Sequence, residues 1–303
     1  MAQTLSNKIF DKVFAPGLDP ALDEVDLTIT HYAPYADKIN ESIAYLRTLD
    51  WKKLSMKSFD GAELVARMHD VGSDKTIVIC HGYKSHYFGN TSCAGKYFAE
   101  NGYNIIQIVS RGHGESGGDF ITFGEYEAKD LVLWLQKFEK ELGLKQMIVY
   151  GISLGSNTVM RASEFIKSTA VKALILDCGF TNTRQTLLDQ LKNKAKPGLK
   201  GLMVMVGKPY IKRLRSIGIK RGGFDIYEGN TVESIKKSKL PSFFIHGKKD
   251  KTVPIANTMS NYEACPNKKE MYIAEEAAHG AAFAAGGHEL EEKLMAFLKE
   301  CGM

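Results

Sequence analysis

Short strand-like runs recur along the chain from residue 53 onward, and those from residue 76 onward are nearly all apolar. The first two, 53–59 and 64–69, flank an Asp60-Gly61 pair, which is a typical sequence for the turn of a β-hairpin. The later runs are separated by longer segments and lie at 76–80, 104–109, 147–150, 172–176, 242–245 and 270–273. Because their apolar residues do not alternate with polar ones, these runs are typical of strands that are covered on both faces.

Amphipathic helices are predicted between and after these runs. The apolar positions between residues 124 and 142 follow the helical spacing i, i+3, i+4, i+7 and i+11, at Leu131, Trp134, Leu135, Phe138 and Leu142. The C-terminal stretch repeats this spacing at Leu290, Leu294, Phe297, Leu298 and Cys301. Strands that alternate with helices predict a mostly parallel α/β sheet flanked by helices, which binds ligands at the carboxyl ends of its strands.

Two regions fall outside this alternation. Residues 1–50 are predicted to form an N-terminal extension that packs on the core, which comprises residues 51–303. Residues 182–236 are predicted to form a small helical lid or cap inserted over the sheet. Its helices are expected to be short fragments, because prolines and glycines interrupt them at Pro197, Gly198, Gly201, Gly207, Pro209, Gly218, Gly222 and Gly223.

Ser153 is the first candidate for chemistry. It lies at the centre of a GISLG motif that follows a strand-like run and precedes a helix expected at 156–168. A strand, a GxSxG turn and a helix form a nucleophile elbow, in which the flanking residues must be small because the backbone is crowded. We therefore interpret Ser153 as a catalytic nucleophile and Gly151 and Gly155 as the glycines of the elbow.

Two further residues complete a candidate catalytic triad. A serine hydroxyl is a poor nucleophile unless a base, itself held by a third group, removes its proton. In this architecture the chain order is serine, then an acid, then histidine. Asp250 follows the run at 242–245 and His279 follows the run at 270–273, so both stand in the expected order after Ser153.

Acyl transfer also needs donors for the oxyanion. The first is the backbone N–H of Leu154, the residue after the nucleophile. The second is expected from the loop after the run at 76–80, where a His-Gly-Tyr sequence makes the backbone N–H of Tyr83 the candidate. Gly82 would allow the backbone to approach the substrate closely.

Five motifs together resemble the α/β-hydrolase superfamily, and they are most similar to its bacterial esterase, lipase and thioesterase-like serine hydrolases. The motifs are HGY (81–83), RGHGES (111–116), GISLG (151–155), IHGKKDKTVP (245–254) and AHG (278–280). The resemblance covers roughly residues 53–303. It departs from the family pattern at Ile152, where many relatives carry a polar residue. It implies a loop-shaping role for 111–116 and leaves His113 structural.

The resemblance implies a hydrolase acting on ester bonds of a small-molecule substrate. In this interpretation, Ser153, His279 and Asp250 cleave an ester or thioester through an acyl-enzyme intermediate, with neither a metal nor an organic cofactor. The rival for the triad acid is Asp177, at the end of the run at 172–176. The alternative functions are an acyl-CoA thioesterase or acyltransferase, an aminopeptidase-like hydrolase and, last, a non-catalytic ligand-binding protein of the same fold.

The charge of the chain is concentrated in one segment. Ten of its 40 Lys and Arg residues lie within 192–221, which contains no acid, although the net charge is only +5. The rest of the chain is therefore acidic, which argues against a general nucleic-acid-binding protein. The segment has four interpretations: a lid over an acyl chain, a site for an acidic substrate head, a peripheral contact with an anionic membrane, and a solvated cap. Its lack of acids weakens the aminopeptidase alternative, although Asp225 and Glu228 lie nearby.

Several classes of protein are excluded by simpler features. The five cysteines are scattered and odd in number, which supports neither a disulfide framework nor a zinc site. The sequence contains no run of 18 apolar residues, so no transmembrane helix is predicted. Residues 1–26 lack the apolar stretch of a secretory signal. We therefore expect a cytoplasmic protein with free thiols, whose oligomeric state the sequence does not determine.

Overall fold

One sheet forms the centre of the molecule in a computed structural model that describes residues 2–17, 31–85 and 88–303. Within these residues the sheet has eight strands: β1 Lys52–Lys57, β2 Glu63–His69, β3 Lys75–Cys80, β4 Asn104–Val109, β5 Gln146–Ile152, β6 Val171–Asp177, β7 Ser242–Gly247 and β8 Lys269–Ala274. Their order is β1-β2-β4-β3-β5-β6-β7-β8.

The sheet is mostly parallel, as the apolar runs predicted. Strand β2 is antiparallel to β1 and β4, whereas β3 to β8 are all parallel. The hairpin turn between β1 and β2 contains Gly61 at φ 86°, a left-handed conformation that suits glycine. The carboxyl ends of β3, β5, β7 and β8 therefore share one edge, and each is followed by a loop with a candidate site residue.

Ten α-helices lie in the described residues, and most of them cover the two faces of the sheet. They are α1 Ala2–Phe14, α2 Ala36–Thr48, α3 Ser92–Glu100, α4 Glu125–Glu141, α5 Leu154–Ala162, α6 Thr183–Lys194, α7 Lys200–Gly222, α8 Thr231–Lys237, α9 Ala256–Ala264 and α10 Ala282–Glu300. One core cluster holds apolar residues of α2, α3 and α10 against the sheet. A second, on the opposite face, holds those of α4, α5 and α8, including Trp134 and Phe138.

The insertion differs from the predicted set of short helical fragments. Helix α7 is 23 residues long. It continues through Gly207, Pro209 and Gly218, which were all expected to interrupt it. Gly207 and Gly218 are buried, and a methyl group added to them would lie 3.1 Å from Leu191 and 3.2 Å from Phe224. These glycines allow close packing rather than a break, and that packing outweighs the hydrogen bond lost at Pro209.

Helix α8 belongs to the layer that flanks the sheet, because it packs against α5 and α9. We therefore restrict the insertion to α6 and α7, residues 183–222, and refer to them as the cap helices. This is narrower than the predicted range of 182–236. The predicted helix at 156–168 is also shorter in the structure, since α5 ends at Ala162.

The N-terminal helix α1 packs on the cap. Phe10 and Phe14 are fully buried in a third cluster, where their rings contact Phe224 and other aromatic side chains. Main-chain hydrogen bonds from Ile121 N to Phe14 O (2.7 Å) and from Gly17 N to Gly112 O (3.0 Å) hold the end of this segment on the body of the protein. In the described residues, the extension thus contacts the domain at α1 and at α2.

No helix of the described residues is long and apolar enough to cross a bilayer.

Candidate active site

Ser153 stands at a sharp turn between β5 and α5. Its backbone has φ 54° and ψ −112°, a conformation that costs energy for any residue with a side chain. A methyl group on Gly151 would collide with the carbonyl of Gly155, and one on Gly155 would collide with the carbonyl of Cys80. The GISLG motif is therefore required sterically, and it presents the Ser153 hydroxyl above the carboxyl edge of the sheet.

The structure brings Ser153, His279 and Asp250 into one hydrogen-bonded line. His279 Nε2 lies 2.8 Å from Ser153 Oγ, and His279 Nδ1 lies 2.7 Å from Asp250 Oδ2. The ring thus donates from Nδ1 to the carboxylate and leaves Nε2 free to accept the serine proton. The Asp250 side chain is fully buried, whereas that of His279 is 15% exposed.

Backbone donors hold the Asp250 carboxylate in place. Asp250 Oδ1 accepts hydrogen bonds from the N–H groups of Thr252 (2.8 Å) and Val253 (2.9 Å). Asp250 Oδ2 also lies 3.4 Å from Nε2 of His246, a fully buried residue at the end of β7. His246 stands four residues before Asp250 in the IHGKKDKTVP motif, but the motif alone did not indicate a role for it.

Asp177, the rival acid, makes a different set of contacts. Its Oδ2 accepts a 3.0 Å hydrogen bond from the Tyr150 hydroxyl, and its Oδ1 is buried without a partner in the described residues. Burial raises the pKa of Asp177 to about 7. The structure therefore places Asp250, and not Asp177, in hydrogen-bonding contact with His279.

The loop after β3 approaches the elbow from the other side. A methyl group on Gly82 would lie 3.6 Å from Ser153 Cβ, so the loop passes close to Ser153 directly before Tyr83. Within the described residues, neither the Tyr83 nor the Leu154 backbone N–H donates a hydrogen bond. Both N–H groups therefore remain candidates for oxyanion donors.

Two buried histidines brace this loop. His113 Nδ1–H donates to Arg111 O (2.9 Å), and its Nε2 accepts from the Lys84 N–H (3.0 Å). Burial lowers the pKa of His113 to about 4, so the ring is neutral and this donor–acceptor pattern is stable. The ring of His81 packs edge-on against it, with 4.8 Å between ring centroids.

Arg111 anchors the neighbouring loop. Its guanidinium group donates to both carboxylate oxygens of Asp130, at 2.7 and 2.9 Å, and to Asp60 at 2.7 Å. Its side chain is buried, and the rings of Phe59 and Tyr126 lie about 5 Å from the guanidinium carbon. A bidentate, buried pair of this kind fixes the position of a loop.

Residues before β1 contribute contacts that the sequence motifs did not predict. His31 Nε2 lies 2.7 Å from the carbonyl oxygen of His279, and the Tyr32 hydroxyl lies close to Gly280. The Tyr83 hydroxyl donates to the carbonyl of Val13 at 2.8 Å. The extension therefore contacts both the loop of His279 and the loop of Tyr83.

A cavity of about 410 Å³ lies above Ser153, between α1 and the cap helices. Its wall is mainly apolar, with Val13 from α1, Phe180 and Leu187 near α6, and Ile211 and Leu214 from α7. No Asp or Glu is among its described lining residues, and the charged residue in the wall is Lys12. Its volume is within the range of small-molecule sites.

The arrangement is better suited to proton transfer than to metal binding. Within the described chain, Cys178, Asp250 and His279 form a group whose potential ligand atoms lie within 4.8 Å of one another. Burial raises the pKa of the Cys178 thiol well above its usual value, which keeps it protonated and a poor ligand. His279 and Asp250 are already paired with each other.

Comparison with known proteins gives matches over most of the chain. Residues 72–283 match the family described as "Serine aminopeptidase, S33". The chain is 27% identical over 234 residues to YqkD of Bacillus subtilis, which is described as an uncharacterized protein. The aligned region covers 76% of this chain and 72% of YqkD. It is 23% identical over 200 residues to human ABHD12B, which covers 63% of this chain and 50% of ABHD12B.

Solved structures with a similar fold include two esterases. The Pyrococcus furiosus esterase Pf2001 has a TM-score of 0.66 and 22% identity, over 86% of this chain and 94% of its own. The esterase RhEst1 from Rhodococcus sp. ECU1013 has a TM-score of 0.55 and 17% identity, over 82% of this chain and 99% of its own. At these identities, the likeness concerns the fold alone.

Proposed function

The chain belongs to the serine aminopeptidase S33 family of α/β hydrolases, and we propose that it is a serine carboxylesterase for small molecules with an apolar acyl group. Ser153 is the proposed nucleophile, His279 the proposed general base and Asp250 the proposed orienting acid. Membership of this family establishes a hydrolase but leaves open which bond the enzyme cleaves.

The cavity at Ser153 is the single observation that carries this choice of substrate. An apolar wall favours the hydrocarbon part of an acyl group over a charged one, because a buried charge without a partner is costly. The position of Ser153 among the lining residues supports attack on a carbonyl bound at that point. An aminopeptidase would need an acid for the substrate α-amine, and none of the described lining residues is acidic.

The proposed reaction has two halves. His279 Nε2 takes the Ser153 proton as Oγ attacks the ester carbonyl, and the Tyr83 and Leu154 N–H groups donate to the resulting oxyanion. Collapse of this intermediate breaks the bond to the leaving alcohol or thiol, which receives the proton from His279. Water, deprotonated by the same ring, then attacks the acyl-Ser153 ester and releases the acid, while Asp250 stabilises the charged ring without taking its proton.

A fluorophosphonate probe together with a substrate panel tests the proposal. The wild-type chain and a Ser260→Ala control, which changes an exposed serine of α9, should be labelled, whereas Ser153→Ala should not. Hydrolysis of p-nitrophenyl esters of graded chain length should exceed hydrolysis of acyl-CoA thioesters and of aminoacyl anilides. Labelling that persists in Ser153→Ala would overturn the nucleophile assignment, and a preference for anilides or thioesters would overturn the substrate class.

A further inference from the structure

Helix α7 is apolar on two opposite faces. Its inner face contains the buried residues Gly207, Ile211, Leu214 and Gly218. On the outer face, Leu202, Met205 and Val206 follow a spacing of three and four residues, and they are 53%, 64% and 48% exposed. The helical repeat places these three residues on the side of the helix opposite Ile211 and Leu214.

This outer face is unusual for a helix on the surface of a globular protein. A surface helix normally carries charged and polar residues opposite its buried stripe, and a helix that is apolar all round is covered by protein or lipid. Leu199, in the turn before α7, is 49% exposed and extends the row. Four large apolar side chains in succession form a patch of the kind that marks an interaction surface. We refer to Leu199, Leu202, Met205 and Val206 as the outer apolar row.

Positive charge surrounds and continues the outer apolar row. Lys200 begins the helix directly after Leu199, Lys208 lies beside the row, and Lys212 and Arg213 follow it along the helix, all four exposed. In the part of the chain that the structure describes, none of these four cations forms an ion pair. The ion pairs of α7 lie further along, from Arg215 to Asp225 and from Arg221 to Asp11. The four cations thus remain available to an external anion.

The combination selects one kind of occupant. A small acidic ligand would engage the cations but would leave the exposed apolar side chains in water. A second copy packed through the same face would bring like charges together, because a two-fold interface repeats the same patch on both subunits. A bilayer with anionic lipids satisfies both features, since its headgroups attract Lys and Arg while apolar side chains enter the interface. We propose that the outer face of α7 docks on an anionic lipid bilayer.

Docking through this face would place the cap next to the lipid. The inner face of α7 supplies Tyr210, Ile211 and Leu214 to the cavity above Ser153, so a single helix would contact lipid on one side and line the cavity on the other. Membrane binding is independent of the proposed esterase activity, because it is measured on the protein without turnover. A failure of one proposal is therefore distinguishable from a failure of the other.

Vesicle flotation of the full chain tests the proposal. The anionic vesicles are large unilamellar vesicles of phosphatidylcholine with about 30% phosphatidylglycerol. At about 50 mM NaCl the protein should float with these vesicles, and much less of it should float with vesicles of pure phosphatidylcholine. The variant Lys208→Glu/Lys212→Glu/Arg213→Glu reverses three charges and should lower the partition coefficient between the anionic vesicles and water by about tenfold or more. Leu202→Ser/Met205→Ser should weaken it by roughly tenfold, because two exposed apolar groups are lost.

Matched controls change equally exposed residues elsewhere on the surface. Val71→Ser/Phe165→Ser removes two exposed apolar side chains, and Lys140→Glu/Lys145→Glu/Lys239→Glu reverses three exposed cations. Both controls should float like the wild type, and all variants should keep the thermal midpoint and the hydrolysis of a water-soluble short-chain ester.

Three outcomes would overturn the proposal. In the first, the wild type does not bind the anionic vesicles. In the second, it binds both kinds of vesicle equally. In the third, vesicle binding falls as much in the control variants as in the α7 variants. A concentration-dependent dimer in light scattering that disappears in Leu202→Ser/Met205→Ser would also overturn it, in favour of a second copy.

Discussion

His246 Nε2 lies 3.4 Å from Asp250 Oδ2, the same carboxylate oxygen that contacts the ring of His279. The His246 ring is fixed at both nitrogens, since Nε2–H donates to the carbonyl of Val253 (3.0 Å) and Nδ1 accepts from the hydroxyl of Thr258 (2.8 Å). Burial lowers the pKa of His246, so the ring is neutral at pH 7. It thus acts as a rigid support behind the proposed triad acid.

We expect His246 to be a positioning residue for Asp250. His246→Leu should lower kcat by about tenfold and leave KM unchanged, because only the alignment of the base is affected. His246→Gln keeps an N–H donor at a similar distance and should restore most of the activity. Steady-state kinetics on one soluble ester check both results. A loss of thermal stability with unchanged kcat in His246→Leu would instead indicate a purely structural role.

The two buried acids should differ sharply in catalysis. Asp250→Asn removes the acceptor that holds the His279 tautomer and should lower kcat by on the order of 10³–10⁴. Asp177→Asn keeps an oxygen acceptor for Tyr150 and should change kcat by less than about tenfold, because Asp177 does not bond His279. Single-turnover acylation rates measure the effect, and the reverse order of the two variants would show that the acid was wrongly assigned.

Asp177 should make the stability of the protein depend on pH. Its folded-state pKa is raised from 3.8 to about 7, so between about pH 4 and 7 the folded state holds a proton that the unfolded state has released. Stability contributed by this group therefore falls as pH rises through that window. Asp177→Asn cannot ionise, so its unfolding free energy relative to wild type should rise by on the order of 2 kcal/mol between pH 4.5 and pH 8. Urea unfolding at both pH values measures the difference, and a constant difference would contradict the prediction.

The N-terminal helix should limit the length of the acyl chain. Val13 lines the cavity opposite the cap helices, so Val13→Trp should fill space needed by long chains. We expect kcat/KM to fall at least roughly tenfold for an octanoyl ester and to change little for an acetyl ester. Lys8→Trp adds the same side chain to an exposed position of α1 and is the matched control. An equal loss for both esters would mean that Val13→Trp disturbs the site as a whole.

The pattern of the sequence predicted the sheet and the candidate triad because both depend on local features. Strands covered on two faces must be largely apolar, and β3 to β7 follow that rule closely. The chain order of Ser153, Asp250 and His279 after successive strands then brought them to one edge of the sheet. Such features are visible in a single sequence because each involves only a few consecutive residues.

Other parts of the site could not be predicted because their contacts are made by backbone atoms or by distant packing. Val13 and His279 are each bonded through a carbonyl oxygen, and every residue type has one. The continuity of α7 was not predicted because it depends on packing against another helix. A glycine in a single sequence indicates a helix break unless the neighbouring helix is known. Gly207 is close to Leu191 of α6, a contact that no local pattern records.

The docking of α1 has a consequence for how the chain folds. Asp11 and its partner Arg221 are 210 residues apart, and Phe10 and Phe14 are buried against Phe224. At typical elongation rates, on the order of 10 to 40 seconds separate the appearance of these two segments from the ribosome. Phe120 and Phe123, which also contact the rings of α1, emerge about midway through that interval, and the contacts with Phe224 and Arg221 form only at its end. The nascent chain therefore exposes part of the apolar surface of α1 until the cap is synthesised.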